Sequence, residues 1–572
     1  MKFLKGMDLS NLPQLIDEGK EIRDFDGAYI DALDLVENNG VNAVRLRIWN
    51  EPSNVPESGG YCDFDRTLKF GQEIKRRNMS FMLDFHYSDW WADPGKQNKP
   101  KAWENLPFNE LVQAVHDYTY TTIKDLQAGG ASPDIVQIGN EIRSGLLFPD
   151  GEVPNYEQMV QLVNAGIQGA EKARDADGLP LIMIHLDQGG RYLYLKEWFD
   201  QAFAHGLLDF DLIGLSYYPF WHGTFADLKE SMERLVERYK KPIMVVEAAY
   251  AWRKTEHGFI DEAQEKISGL AATPDNQRKA LDLVMNITAS LPNNMGQGVY
   301  YWEPLCIPDP INPGGWPENM GLLNPEGKVL EGIKAFDFTP DRARTDEVAF
   351  VYSLDDVERK TPRGKVHLPV EASVLYYDGH LERLPITWDL DSDLQAEEIP
   401  DGLIQGSISS IDETIEVNVR TVEEVKDNII HDANFNNSLA HWGVNHKQGE
   451  AELNIVPEEV DPFPAPPLHA VRIESTGSFE TTLSQNIYLD EAGTYVLKAE
   501  MKGTDTTGVE IRLFALGENA DKETEFAHLS EHTWETFTLE FEIKEPGLVE
   551  VGVDVLASPM YMMARRFQLY RK

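Results

Sequence analysis

Cysteine, positive charge and long apolar runs are all scarce in this sequence. Two cysteines, Cys62 and Cys306, occur in 572 residues. Two thiols cannot build a disulfide framework or a cysteine-rich zinc cluster, so two free thiols are expected. Lys and Arg total 52 against 96 Asp and Glu, a formal charge of 52 − 96 = −44. That excludes nucleic acid, whose phosphates demand a basic face, and docking on anionic membranes. A neutral partner remains, with the acidity serving as a solvated surface or suiting work in salt or at high pH. No stretch approaches the roughly 18 apolar residues of a membrane span. The opening MKFLKGMDLS is too short in apolar residues for a signal peptide. The chain therefore either stays inside the cell or is numbered after a removed signal. No short-period repeat or low-complexity linker appears, so closely packed domains are expected.

What is present is globular: 42% hydrophobic and 10% aromatic residues, in a length that calls for two to four domains. From residue 1 to about 340, eight short apolar runs alternate with amphipathic segments. The runs are FLKGMD, VNAVRLRIW, SFMLDFHY, DIVQIGNE, PLIMIHLD, DLIGLSYYP, PIMVVEAAY and GVYYWEP. Their continuous apolar cores are those of parallel strands buried on both faces. Between them, YIDALDLVENNG stops on Gly40 and YEQMVQLVNAGIQGAEKARDADG carries a helical period. Eight such units predict a (β/α)8 barrel over 1–340. A doubly wound sheet is set aside, because no glycine-rich phosphate fingerprint follows the first run.

In such a barrel the C-terminal strand ends face one site. Here they carry Asp8, Arg45, Arg47, Trp49, Asp84, His86, Asn140, Glu141, His185, Asp187, Tyr217, Tyr218, Glu247, Trp302 and Glu303. Each alone is a solvated loop residue or a satisfied core residue; their convergence at one end of almost every strand points to a site. Glu141 and Glu247, 247 − 141 = 106 residues apart, end the fourth and seventh runs. Two carboxylates across a barrel mouth suit glycosidic bond cleavage, one protonating the leaving oxygen and one ionised to attack C1. Asn140 is placed to hold a sugar hydroxyl, and Arg45 with a tyrosine of the sixth run to keep Glu247 ionised. Trp302 offers a ring face for a sugar, and Trp90, Trp91 and Trp221 extend it. No metal or cofactor is required. Glu256, Asp261 and Glu262 in the loop after the seventh run form the one acidic cluster considered for structural calcium, and a solvated loop is the stronger expectation.

After residue 345 the helical period stops. An alternating pattern across Asp378-Gly379 predicts a β-hairpin within a small β-sandwich over 345–424. Evenly spaced strands over 425–572 predict a jelly roll.

The strings GMDLS, VRLRIWNEP, LDFHYSDWWADPGKQNKPKAW, VQIGNEI, LSYYPFWHG, VVEAAYAW and YYWEP resemble the family 53 arabinogalactan endo-β-1,4-galactanases, within the clan of retaining (β/α)8 glycoside hydrolases. The resemblance spans about residues 3–338. It implies cleavage of internal β-1,4-galactosyl bonds of galactan and type I arabinogalactan, with retention; a secreted protein and a monomer are expected. Carried over by position, Glu141 is the acid/base and Glu247 the nucleophile. Arg45, Asp84, His86, Trp90, Trp91, Asn140, His185, Tyr217, Trp221 and Trp302 form the substrate-binding set. Arg45 is not separable from Arg47, nor Tyr217 from Tyr218. The loop after the seventh run lacks the Asp- and His-rich calcium cluster of some bacterial members.

The middle block resembles a bacterial Ig-like domain, through LPVEASVLYYDG and PITWDL. The last block resembles jelly-roll carbohydrate-binding modules, with 428–444 as opening strand and Trp442 and Trp534 as stacking candidates, although a core position is the stronger expectation for Trp442. Two alternatives stand beside the galactanase reading: a same-clan enzyme acting on mannan, xylan or glucan, and a non-catalytic glycan-binding protein.

Overall fold

A computed structural model of the chain describes residues 2–309, 314–354, 356–359, 368–390, 399–421, 428–430, 432–433, 435, 439–449, 451–457, 469–475, 477–489, 491–504, 510–517, 520–526, 529, 533–557 and 560–572. It divides into two compact units. One is Met1–Glu347 with Tyr377–His380, and the other is Val348–Tyr376 with Leu381–Lys572.

The first unit is built on a closed barrel of eight parallel strands: β1 (Leu4–Asp8), β2 (Ala43–Ile48), β3 (Ser80–Phe85), β4 (Ile135–Ile138), β5 (Leu181–Leu186), β6 (Leu212–Tyr217), β7 (Ile243–Ala248) and β8 (Gly296–Tyr301). Seven lie within the apolar runs, and β8 begins two residues before its run, GVYYWEP. Strand β1 pairs with β8 through Leu4↔Gly298 and with β2 through Gly6↔Ala43, which closes the ring. Helices return the chain between strands. Ala32–Asn38 is capped by the Asp31 carboxylate and stops before Gly40 at φ 91°. Tyr156–Ala173 starts on the Asn155 cap. These are the cap and stop chemistries that the backbone N–H and C=O groups at helix ends require.

Side chains along a strand alternate between barrel interior and exterior. Leu4, Ala43, Met82, Ile135, Met183, Leu212, Met244 and Tyr300 form one apolar interior layer, one residue from every strand. Gly6 fits there because a Cβ would lie 2.1 Å from the Tyr300 ring. Two residues further along, the same alternation points Arg45, Asp84, Gln137 and His185 inward, all at most 1% exposed. A polar layer thus rests on an apolar plug.

Strand β7 departs from regular pairing at its end. Its register shifts against both neighbours: Leu215↔Val245 is followed by Ser216↔Glu247, and Val299↔Val245 by Tyr301↔Ala248. The inserted residue is a β-bulge. It lets Val246 join the interior layer while the adjacent Glu247 reaches Arg45.

The second unit holds sandwiches of mainly antiparallel strands, Val357–Arg359 pairing parallel with Glu413–Thr421. A three-stranded sheet contains Val348–Val351, Glu371–Tyr376 and Leu381–Pro385, and a four-stranded sheet contains Gly402–Ile408 and Glu413–Thr421. They share a core of Ala372, Val374, Ile408 and Ile415. The hairpin turns at Asp378-Gly379 as its pattern predicts. Beyond residue 442, two five-stranded sheets enclose an apolar core that includes Trp442. The boundary drawn at 424/425 falls within 422–427, outside the described residues. The described part of 428–442 is turn and coil rather than an opening strand, and the first strand there is Gly443–Gln448.

Candidate active site

Arg45 organises the polar layer. Its Nη1 donates to Asp8 Oδ2 at 2.8 Å and its Nε to Gln137 Oε1 at 2.6 Å. Its Nη2 reaches Asp84 Oδ2 at 3.0 Å, Asn140 Oδ1 at 2.9 Å and Glu247 Oε1 at 3.0 Å. Burial opposes the charge of this guanidinium, but Asp84, Glu247 and Asp8 outweigh it and raise the pKa, so it is a fixed cation. Asp84 is likewise pushed up by burial but held at about 2 by Arg45 and then His86. The His86 tautomer follows from its contacts. Ala92 N–H at 3.0 Å and Trp49 Nε1 at 3.4 Å both donate to Nδ1, so Nε2 carries the proton and donates to Asp84 Oδ2 at 3.0 Å.

Glu247 is held on both oxygens: Arg45 faces Oε1, and the Tyr218 hydroxyl donates to Oε2 at 3.0 Å. Glu141 lies three residues beyond β4 at φ 48° and ψ 51°. That left-handed backbone is uncommon for glutamate and marks a locally constrained turn at the site. Its N–H donates to His185 Nδ1 at 3.4 Å, and His185 Nε2 stands 2.9 Å from Ser216 Oγ. Burial, then Arg45, holds His185 well below its usual pKa, so the ring is neutral and Nε2–H donates to Ser216. The Ser216 hydroxyl in turn hydrogen-bonds the Glu141 carboxylate.

A carboxylate oxygen of Glu141, one of Glu247 and a ring nitrogen of His185 lie within 4.8 Å of one another. Three such groups resemble a metal ligand set, but both imidazole nitrogens are engaged by Glu141 N–H and Ser216, and Arg45 already occupies Glu247. The pair is instead electrostatically unequal. Burial and then the Glu247 charge push Glu141 well above the normal carboxyl range. Burial also raises Glu247, to about 7, against the opposing pull of Arg45 and the Tyr218 hydrogen bond. Glu247 loses its proton first, and Glu141 keeps its own. Asp187, clamped by Arg143 at 2.9 Å, adds negative charge beside Glu141.

A cleft of about 430 Å³ opens over these groups. Arg47 pairs with Glu303 at 2.8 Å and lies 4.0 Å over the Trp91 ring, fixing it as one wall. Trp302 packs edge-on against Trp316 with centroids 4.4 Å apart, and Trp316 continues to Tyr218 at 5.6 Å and Phe259 at 5.5 Å. Trp221 meets Phe259 at 5.5 Å.

The structure brings Arg45, His86, Trp91, Asn140, Glu141, Trp221, Glu247 and Trp302 to the cleft. It corrects others. Tyr217 is buried with its hydroxyl on the Gly223 carbonyl at 3.1 Å, and Tyr218 is the tyrosine that holds Glu247. The alternation along β6 and the turn after it decide between these neighbours. Asp84 and His185 are not among the lining residues, but bond Arg45, His86 and Glu141, which are. Trp90 is not among the lining residues; its neighbour Trp91 is. Asp261 caps the helix Glu262–Ser268, with its carboxylate on Gln264 N–H, and Glu256 and Glu262 are exposed, so the three do not converge. Trp442 is buried against Phe435 and Phe567, and Trp534 has Arg565 4.0 Å and Lys502 4.8 Å from its ring. Trp442 therefore presents no bare ring face, and the ring of Trp534 already carries two cations. Sequence reasoning did not single out Phe259 and Trp316; proline and glycine around Trp316 marked only a loop.

A family model described as glycosyl hydrolase family 53 matches residues 4–336. The arabinogalactan endo-beta-1,4-galactanase of Cellvibrio japonicus is 34% identical over 315 residues, 53% of this chain and 81% of that protein. Arabinogalactan endo-beta-1,4-galactanase A of Aspergillus niger is 32% identical over 340 residues, 58% of this chain and 94% of that protein. A solved GH53 catalytic domain from Ignisphaera aggregans is 37% identical, with a TM-score of 0.54, over 59% of this chain and 95% of its own length. The family match runs the length of the barrel and contains both facing acids with every group that holds them, so the chain belongs to glycosyl hydrolase family 53.

Proposed function

We propose that this protein is a retaining endo-β-1,4-galactanase that hydrolyses internal β-1,4-galactosidic bonds of galactan and type I arabinogalactan. The observation that carries the mechanism is the approach of the two acids, with carboxylate oxygens within 4.8 Å. Retaining enzymes hold their carboxyl groups roughly 5–5.5 Å apart, whereas inverting ones leave roughly 6.5–9.5 Å for a water. The relatives named arabinogalactan endo-beta-1,4-galactanase support the sugar and the endo action.

Glu247, ionised under Arg45 and Tyr218, attacks C1 as Glu141 passes its proton to the departing glycosidic oxygen. The C1–O bond breaks, a glycosyl ester forms on Glu247, and Glu141 is left ionised. Glu141 then takes a proton from water, which attacks C1 and releases Glu247. The changing charge on Glu247 explains why Glu141 needs no fixed proton: when the ester forms, the repulsion that raised Glu141 disappears and its pKa falls, which suits it as a base. Four buried acids, Asp8, Asp84, Glu247 and Glu303, face two buried arginines, Arg45 and Arg47. The excess negative field favours the positive charge that develops at C1. One N–H of the Asn140 amide is taken by the Ala92 carbonyl at 2.8 Å, leaving the other for a sugar hydroxyl.

A polysaccharide of this size does not cross a membrane, so the enzyme acts outside the cell. The C-terminal sandwich serves as a tethered carbohydrate-binding module that raises local substrate concentration. Reducing-sugar release from linear galactan, mannan, xylan and carboxymethylcellulose tests the reading, with Glu247→Ala as control. Galactan cleavage alone is expected. Cleavage of xylan or mannan without galactan would replace the sugar, and binding without cleavage would replace the enzyme.

A further inference from the structure

We propose that Asn319 is a positioning residue for the polysaccharide: it ties the loop after β7 to the loop after β8 and thereby sets the aromatic wall of the cleft. The inference rests on the galactanase reading for its substrate, and on hydrogen-bond geometry for the tie itself.

Asn319 is fully buried. Its Oδ1 accepts from Phe259 N–H at 3.0 Å, and its Nδ2 donates to the Phe259 carbonyl at 2.6 Å and the Arg253 carbonyl at 2.9 Å. Its own carbonyl accepts from Trp252 N–H at 3.0 Å. One amide therefore satisfies both polar groups of Phe259, as a strand partner would, and a third group six residues earlier. The preceding residue adds a second tie: Glu318 Oε1 accepts from Arg253 Nη2 at 2.9 Å and Thr255 Oγ1 at 3.0 Å.

Two features show that the loop is shaped around this side chain. A Cβ on Gly258 would lie 2.6 Å from Asn319 Cγ, so only glycine passes there. Ile260, buried and β-branched, has φ 72°, a conformation such residues avoid unless their surroundings impose it. The clamp holds the residue just before it. What it positions is Phe259, whose ring packs against both Trp221 and Trp316, and Trp316 leads through Tyr218 to Glu247. The tie is thus connected to the reacting centre through rings that line the cleft, without touching it.

The chemistry requires an amide. An aspartate keeps the shape but has no N–H to donate and sets a charge against two carbonyls. Asn319→Asp and Asn319→Ala are both expected to raise KM for long galactan by about tenfold while kcat changes less than about threefold, the signature of lost binding away from the reacting atoms. Phe259→Ala, which removes the positioned ring and leaves the tie, is expected to raise KM similarly. The near-UV circular dichroism of the closely packed Trp302–Trp316 pair is expected to weaken in both Asn319 variants. Should they fail to fold, Arg253→Met removes the arginine's half of the Glu318 tie, leaving the Thr255 hydroxyl on Glu318, and is expected to raise KM by about threefold. Unchanged KM and near-UV signal in the folded Asn319 variants, or unchanged KM in Arg253→Met if those do not fold, overturns the clamp. Wild-type protein that releases no sugar from galactan overturns the substrate reading instead, with the near-UV comparison still deciding the clamp.

Discussion

The barrel and the C-terminal sandwich use buried aromatic and polar groups in opposite ways. In the sandwich, Trp442 stacks with Phe435 and Phe567 inside a core of aliphatic side chains drawn from both sheets. In the barrel, the apolar interior is a plug one layer deep, and above it lie Arg45, Asp84, Gln137 and His185, all buried and interlocked. Trp91 then lies against the Arg47 guanidinium, and Trp302 and Trp316 line the same cleft as Arg45, Glu141 and Glu247. The difference follows from architecture. A sandwich closes its core with two sheets and leaves no open end, whereas a parallel barrel has a mouth where strand ends converge and where buried charges are bonded to one another. A tryptophan in the first is a packing residue; in the second it is a wall.

The largest expected break in this comparison is chemical. Glu247→Ala is expected to lower kcat on galactan by about 10⁴-fold or more, equivalent to about 5.5 kcal/mol of barrel-mouth chemistry, while the melting of the sandwich is unaffected; measured reducing ends decide it. Glu141→Ala is expected to be nearly as damaging on galactan but far less so on an aryl galactoside with a nitrophenyl leaving group, which departs without a proton.

Next come the two cores. Arg45→Ala takes the shared cation away from the buried Asp8, Asp84 and Glu247 and is expected to cost about 3–5 kcal/mol in denaturant unfolding. Trp442→Ala is expected to cost the sandwich a similar ~3–5 kcal/mol and to leave turnover of soluble galacto-oligosaccharides unchanged. Loss of turnover in the second variant would dissolve the division between the two regions.

The pH profile sharpens the electrostatic half of the comparison. Glu247 must be ionised, so kcat/KM is expected to fall as pH drops through about 7. Glu141 must be protonated, so the rate is expected to fall again at the higher pH where its raised carboxyl ionises. Arg45→Lys, which places a less extended charge under Glu247, is expected to move the acid limb upward. An acid limb that stays in place would show that Arg45 does not set the Glu247 charge.

The smallest effects separate neighbours. Tyr218→Phe removes the hydroxyl on Glu247 and is expected to lower kcat by about 10- to 100-fold. Tyr217→Phe removes only the bond to the Gly223 carbonyl and is expected to cost about 1 kcal/mol in stability with turnover intact. Trp534→Ala, losing two partly buried cation–π contacts, is expected to cost under ~2 kcal/mol.

Much of this site is legible in the sequence for a definite reason. Strands buried on both faces read as unbroken apolar runs, so Asn140, Glu141, Glu247 and Trp302 stand out as interruptions at their ends. Tyr217 and Tyr218 do not separate, because both follow the same run and a single residue of register exchanges their roles. Trp90 and Trp91 fail for the same cause. Phe259, Trp316 and Asn319 sit in loops without periodicity, where nothing local records a partner about 60 residues away.

By itself the sequence determined the eight strands, the closure they imply, and the two acids placed on opposite sides of one barrel mouth, since periodicity and strand-end chemistry are local properties. Tertiary structure decided which side chain of each adjacent pair faces the cleft, how Arg45 divides its donors, and where the loops meet. The bulge at Val246 and Glu247 shows why: it exists only because β6 and β8 pair across it, and without it Glu247 would point away from Arg45.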